Sequence, residues 1–247
     1  MIPYIYIRIP SYGLMAVIGI IAAVSVLYYR SVKIKKYSLP FKDLVILCGM
    51  CGMGCVIGSR IIFLITQIPD LIKNFLFSKF LTTALFGGYV FYGGFLGAAA
   101  GAWFFSKVKK YCIDDVMDFV VPTFALFHAF GRIGCFMSGC CYGFKLKEQF
   151  VLGGIHLNYF PLQLVETAFE FIMFFFLSNV CDGKKLKVYL LSYSVFRFIN
   201  EFFRGDTVRG IWFGISTSQI IAALIIILIL FSYINNPPSR TKNDANI

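Results

Sequence analysis

"FGRIGCFMSGCCYGF", residues 130–144, sets one arginine, three cysteines and four glycines into an otherwise apolar run. A guanidinium in hydrocarbon is costly unless it is paired, hydrated or bound to a ligand. Glycine weakens a helix, so this density implies either close packing or a chain that leaves the helix to approach something. The apolar residues leading into the stretch begin near residue 116, and together they are long enough to cross a bilayer. The segment reads as a membrane helix whose end carries a polar site.

The rest of the chain supports that reading. Of 247 residues, 59% are hydrophobic and 14% charged, and the mean hydropathy is +0.78. That is the composition of an integral membrane protein. Apolar runs predict an all-α membrane fold with seven crossings, near 11–29, 44–66, 85–105, 116–137, 161–181, 186–203 and 211–234. One polytopic domain is expected over 1–234, with a polar, disordered cytoplasmic tail at 235–247. The opening MIPYIYIRIP lacks the basic region and cleavage site of a signal peptide and reads as part of the mature protein. No internal repeat marks an inverted-repeat transporter.

The formal charge of +11 would suggest nucleic acid in a soluble protein, but Lys and Arg gather here in short loops between apolar segments. No nucleic-acid partner is therefore expected. One set of alternate loops, with the tail, carries thirteen basic residues, including Lys33, Lys35, Lys36 and Lys107; the other carries seven. The bias predicts a cytoplasmic C-terminus and an N-terminus outside. An outward loop with Gly153 and Gly154 follows the fourth segment, and a polar stretch between the sixth and seventh predicts a small external cap.

Eight cysteines in so apolar a chain do not make a disulfide scaffold. Cys48, Cys51 and Cys55 fall on one helical face among Gly49, Gly52 and Gly54, a small-residue packing pattern. A metal or iron–sulfur site is the sharper alternative, but no Cys-x-x-Cys pair recurs with matching spacing. No cofactor and no metal are expected.

Arg60, Arg132 and Arg197 fall within apolar segments, where Glu166, Glu170 and Glu201 are the available carboxylates. Glu201 follows Arg197 by one turn, so an i,i+4 pair is expected there. Arg132 has no acid within two turns on its own segment, so its partner must come from another helix, water or a ligand. A planar guanidinium fork suits phosphate. Arg132 and Arg197, on different segments, are read as two sides of a clamp on one lipid phosphate. Gly131, Gly134, Gly139 and Gly143 are expected to break the helix and bring backbone N–H groups to the anion.

Several short stretches, in order, resemble the bacterial prolipoprotein diacylglyceryl transferase family. "GRIGCFMSGCCYG" is similar to its motif Gly-Arg-x-Gly-Asn-Phe-x-Asn-x-Glu-x-x-Gly-Arg, matching at Gly131, Arg132, Gly134, Phe136 and Gly143. "SYGLM" at 11–15 resembles its first-helix Tyr-Gly-Leu segment and puts Tyr12 on the functional tyrosine. "GSR" at 58–60 is similar to its Gly-Ala-Arg at Arg60, and "YGGFLG" at 92–97 to its His-Gly-Gly-Leu-x-Gly. "PLQLVE" at 161–166 carries Gln163 and Glu166, and "YSVFRFINEFFR" at 193–204 carries Tyr193, Arg197, Glu201 and Arg204.

The resemblance implies a seven-helix enzyme of the bacterial cytoplasmic membrane, acting as a monomer. Its members move a diacylglyceryl group from phosphatidylglycerol to the lipobox cysteine of a preprolipoprotein signal peptide. It implies catalytic roles at Arg132, Arg197 and Tyr92, and substrate contacts at Tyr12, Arg60, Gly131, Gly134, Cys135, Ser138, Gly143, Gln163, Glu166, Tyr193, Glu201 and Arg204. The departures matter as much. Tyr92 stands for the family's histidine, Cys135 and Ser138 for its two asparagines, Cys140 for its glutamate and Phe144 for its last arginine. Tyrosine is a weak base at neutral pH, so the acceptor proton needs another route. His128, one turn before Arg132 on the same face, is a candidate acid–base group, against a plain hydrogen-bonded role in the bundle.

Cys135, Cys140 and Cys141 are read first as small-residue packing or a disulfide, next as a nucleophile at Cys140, and last as a metal site. Two other classes stay open at this point: a membrane thiol-redox or metal-handling protein, and a non-catalytic relative that binds lipid or a lipoprotein.

Overall fold

A computed structural model describes residues 4–5, 9–33, 39–73, 91–152, 155–179, 183–205, 211–212 and 215–235. Seven long helices occur among them: α1 (Ser11–Lys33), α2 (Phe41–Lys73), α3 (Phe91–Lys109), α4 (Ile113–Ser138), α5 (Leu162–Asn179), α6 (Lys185–Asn200) and α7 (Thr217–Asn235). Five, α1, α2, α4, α5 and α7, are long and apolar enough to cross a membrane. The other two are α6, whose sixteen residues include Lys185, Lys187 and Arg197, and α3, which ends on Lys107 and Lys109. Gly153 and Gly154 of the expected outward loop, residues 85–90 of the third expected span and the tail after Asn235 lie outside the described residues.

The chain divides into two compact units, residues 24–120 and residues 1–23 with 121–247. In the first, α2 and α3 meet along glycine. A Cβ on Gly54 or Gly58 would overlap the backbone of Gly97 or Gly93, and one on Gly101 would overlap Met50. Contact this close is available only without side chains, which is what the small-residue pattern predicts. It corrects the pattern in one respect: Gly49 and Gly52 have open space around them, and Gly54 makes the approach. Leu44, Leu47, Ala102, Phe105, Val116 and Phe119 fill the core of this unit. Buried Arg30 donates to the Asp118 carbonyl at 3.3 Å and lies over the Phe119 ring.

In the second unit α1 packs on α4. Gly19 faces Phe130 and Phe127, and Gly134 leaves room for the ring of Tyr12 and for Met15. The helix α4 stays helical through Ser138 and stops at Gly139, whose φ is +73°. There Cys140 N–H donates to the Cys135 carbonyl at 3.1 Å and Gly139 N–H to the Phe136 carbonyl at 3.2 Å. That pair of bonds is a Schellman stop, in which the left-handed residue closes the last turn. The expected break at Gly131 and Gly134 is therefore corrected: both are helical, and only Gly139 ends the helix.

After the stop, residues 142–144 are clamped by backbone bonds. Gly143 N–H donates to the Phe160 carbonyl at 2.9 Å, Phe144 N–H to Phe203 at 3.0 Å, and Gly205 N–H to Tyr142 at 3.1 Å. A Cβ on Gly143 would come within 3.0 Å of the Phe160 and Phe203 carbonyls. The glycine serves backbone-to-backbone contact here, not the approach to an anion expected of it. An antiparallel hairpin of β1 (Lys145–Leu152) and β2 (Ile155–Tyr159) follows, tied at its rim by Gln149 Nε2 donating to Asn158 Oδ1 at 3.0 Å.

Candidate active site

Three elements of the second unit bring charge together: α4, α5, and α6 with the single 3-10 turn Glu201–Phe203 that extends it. Glu166 on α5 is the hub and is buried. Its Oε2 lies 2.7 Å from Arg132 Nε on α4, and its Oε1 lies 2.9 Å from Arg197 Nη1 on α6. Asn200 Nδ2 also donates to Oε1, at 2.9 Å. One carboxylate thus holds two arginines through opposite oxygens. Charge-assisted contacts of this kind are what make buried guanidinium groups tolerable.

The two arginines are not equivalent. Arg197 uses Nη1 on Glu166, and its Nη2 lies 2.6 Å from Glu201 Oε2 and 3.3 Å from Ser218 Oγ on α7. The i,i+4 pair with Glu201 is present as expected. Arg204 Nη1 approaches the same Glu201 oxygen at 3.9 Å. Arg132, by contrast, is held through Nε alone, by Glu166 and by His128 Nε2 at 3.3 Å. Its two terminal nitrogens donate to no described residue. The expected symmetric clamp is therefore reshaped: Arg197 is occupied by carboxylates, while Arg132 presents the fork.

Behind Arg132 lies a second buried group. His128 Nδ1 is 2.8 Å from Glu170 Oε1, and Tyr189 OH donates to both Glu170 oxygens at 3.2 Å. With Arg132 Nε donating to Nε2, the partners assign the imidazole proton to Nδ1. Tyr193 sets its ring 5.3 Å from the imidazole and stacks on Tyr189. His128 is thus hydrogen-bonded within the bundle and beside Arg132.

Gln163, fully buried one turn before Glu166, donates through Nε2 to the Cys140 carbonyl at 2.5 Å. Cys135, Cys140 and Cys141 are unbridged, with their Sγ atoms all within 4.8 Å of one another. The disulfide expected as one option is absent from these three. Ser138 is the last helical residue before the stop, and Tyr12 lies against Gly134. Gly131 has open space around its Cα. Arg60 lies on α2 and Tyr92 at the start of α3, in the other unit; the side chain of Tyr92 lies outside the described residues.

Three participants escaped the sequence reading as site residues: Glu170, Tyr189 and Asn200. Glu170 follows Glu166 and Tyr189 precedes Tyr193 by one turn each, so helical periodicity alone places each pair on one face. Nothing in the sequence ties Asn200 to Glu166, which lies thirty-four residues away.

The sequence pattern of the family described as prolipoprotein diacylglyceryl transferase matches residues 1–235. A phosphatidylglycerol–prolipoprotein diacylglyceryl transferase of Clostridium tetani is 35% identical over 242 residues, covering 92% of this chain and 93% of its own length. A second, of Clostridium perfringens, is 31% identical over 90% of this chain and 88% of its own. One of Psychrobacter arcticus is 29% identical over 90% and 89%. With the match to the family pattern and these relatives in agreement, the chain belongs to the prolipoprotein diacylglyceryl transferase family.

Proposed function

We propose that the chain transfers the diacylglyceryl group of phosphatidylglycerol to the lipobox cysteine thiol of a preprolipoprotein, forming a thioether and releasing glycerol phosphate. The observation that carries this is Arg132: partly buried, fixed at Nε by Glu166 and His128, with its terminal nitrogens donating to no described residue. A fork anchored at its base and open at its tip is preorganised for a phosphate, and a preorganised donor gains most as charge develops on the leaving group.

In this reading Arg132 binds the donor phosphate and stabilises the departing phosphate oxygens. Glu166, Arg197, Glu201 and Asn200 position it, because each holds the next. His128, oriented by Glu170 and Tyr189, gives up the bond its Nε2 accepts from Arg132 Nε and takes there the proton that the acceptor thiol loses. The thiolate sulfur then attacks the glyceryl carbon and the carbon–oxygen bond to phosphate breaks. Tyr12, Gly134, Tyr193 and Arg204 line the substrate path, and the family motifs give Arg60 a substrate contact and Tyr92 a catalytic role. The protein is a single domain crossing the bacterial cytoplasmic membrane seven times, its N-terminus and the hairpin outside, and it acts as a monomer.

The test is direct. The full chain in detergent is incubated with acyl-labelled phosphatidylglycerol and a lipobox peptide, and lipidated peptide and glycerol phosphate are measured. Both products are expected, and Arg132→Ala should remove them while the thermal transition persists. Undiminished turnover in that variant overturns the reading.

A further inference from the structure

The turn after α4 holds something the transfer mechanism above does not use. Cys135 sits on the last full turn of the helix, and Cys140 and Cys141 follow the Gly139 stop, which folds the chain back so that all three sulfurs face one point. Adjacent residues in extended chain send their side chains to opposite sides. Cys141 avoids this by adopting φ +61°, the left-handed region that a residue with a Cβ rarely enters. Strain of that kind persists only where the surroundings require it, and it gathers at functional sites.

A second feature points to the same place. Gln163 is fully buried and holds the Cys140 carbonyl through Nε2, while its Oε1 has no partner among the described residues. A buried acceptor left unmade is costly, and here it is available to an incoming N–H. Cys140 is exposed and the other two are half-buried, so the sulfurs are open from one side.

We propose that Cys135, Cys140 and Cys141 bind a divalent d10 cation of the zinc type, leaving its fourth position for the acceptor cysteine of the substrate. The ion's chemistry fits the donor set. Zinc takes four ligands tetrahedrally with sulfur at about 2.3 Å, which puts bound sulfurs roughly 3.8 Å apart. Sulfurs that already lie within 4.8 Å need only small side-chain rotations to reach that spacing. Three protein ligands with one open position is the arrangement of a catalytic site, not a structural one.

This rests on the transferase reading and supplies what that reading lacks. Cys135 and Cys140 occupy positions where the family motif has an asparagine and its glutamate. Cys135 follows Arg132 by one turn of α4, and Gln163 precedes Glu166 by one turn of α5, so the thiol cluster and the phosphate fork share two helices. A thiol entering the fourth position loses its proton on coordination, and the proton passes through water to His128 Nε2, which gives up the bond it accepts from Arg132 Nε. The sulfur lone pair forms the carbon–sulfur bond, and the electron pair of the broken carbon–oxygen bond stays on the phosphate held at Arg132. An anionic all-sulfur set keeps the bound thiolate nucleophilic.

Cobalt(II) is the probe. The reduced full chain in detergent is loaded with Co2+ and its absorption recorded. One ion per chain, with sulfur-to-cobalt charge-transfer bands and tetrahedral d–d bands, is expected. Cys141→Ser should weaken Co2+ binding at least about tenfold, the loss typical even of a ligand's supporting partner, with an unchanged thermal transition. A lipobox peptide should shift the d–d bands, and the same peptide with serine for cysteine should not. Absence of charge-transfer bands in the wild type, or bands untouched by Cys141→Ser, overturns the proposal. Full transfer rate after stripping by a chelator overturns it too and leaves the transferase reading standing. Thiolate bands that respond to the peptide, in a chain that transfers no lipid, support the metal site and remove the transferase reading.

Discussion

Glu166 bridges Arg132 and Arg197 through separate oxygens, 2.7 Å from Nε of the one and 2.9 Å from Nη1 of the other. The bridge explains how two arginines coexist in apolar helices. Each lowers the cost of the carboxylate's burial, and the carboxylate lowers theirs. It also fixes the direction in which Arg132 points, because a guanidinium pinned at Nε has its terminal nitrogens aimed away from the pin.

Glu166→Gln should therefore act on stability as well as on activity. Losing the charge leaves two buried guanidinium groups without their shared partner, and breaking such a pair costs about 3–5 kcal/mol. A clear fall in the thermal transition in detergent is expected, with lipid transfer reduced in parallel. An unchanged transition would mean that the bridge contributes nothing to the fold.

Arg132→Lys keeps the charge and discards the fork. Lysine cannot be held at an Nε and still present two parallel donors to phosphate. Transfer should drop by about 10²–10³-fold, the effect of removing one preorganised donor, with the thermal transition little changed. Near-normal rates in this variant would show that a point charge suffices.

His128→Gln removes the acceptor of the thiol proton while retaining hydrogen bonds toward Glu170 and Arg132. In the variant the rate should fall by about 10²–10⁴-fold. Glu170→Gln, which disturbs only the orientation of His128, should lower the rate less. Initial transfer rates of the three proteins check this.

Glycine substitutions separate the two structural uses of that residue. Gly139→Ala places a Cβ in the left-handed region and should destabilise by about 1–2 kcal/mol. Gly97→Ala forces α2 and α3 apart, since its Cβ would overlap Gly54, and should cost about 1–3 kcal/mol. Gly131→Ala meets nothing and should be neutral or slightly stabilising. Thermal transitions of the three variants rank them.

Much of this was legible in the residues. Hydrophobic runs give the helices because crossing hydrocarbon demands long apolar segments with internally bonded backbones. The spacing of Arg197 and Glu201 gave their ion pair, and the spacing of His128 and Arg132 gave their contact, because residues one turn apart share a face. The order of short motifs indicated the family. Legibility stopped where a contact joins helices distant in the chain. Glu166 could be named as an available carboxylate, but not as the partner of both arginines. The glycines could be counted, but whether each ended a helix, admitted a neighbouring helix or met open space depends on what packs against it.

Sequence alone determined that the chain is built from apolar helices and that arginines stand within them, since these are properties of composition and local period, and the order of its short motifs resembles that of the diacylglyceryl transferase family. Tertiary structure alone decided which arginine is spent on carboxylates and which keeps its donors, and that three cysteines converge on one point. Both outcomes depend on how α4, α5 and α6 cross and on a left-handed residue after a helix stop, and no local pattern encodes the distance between side chains on separate helices.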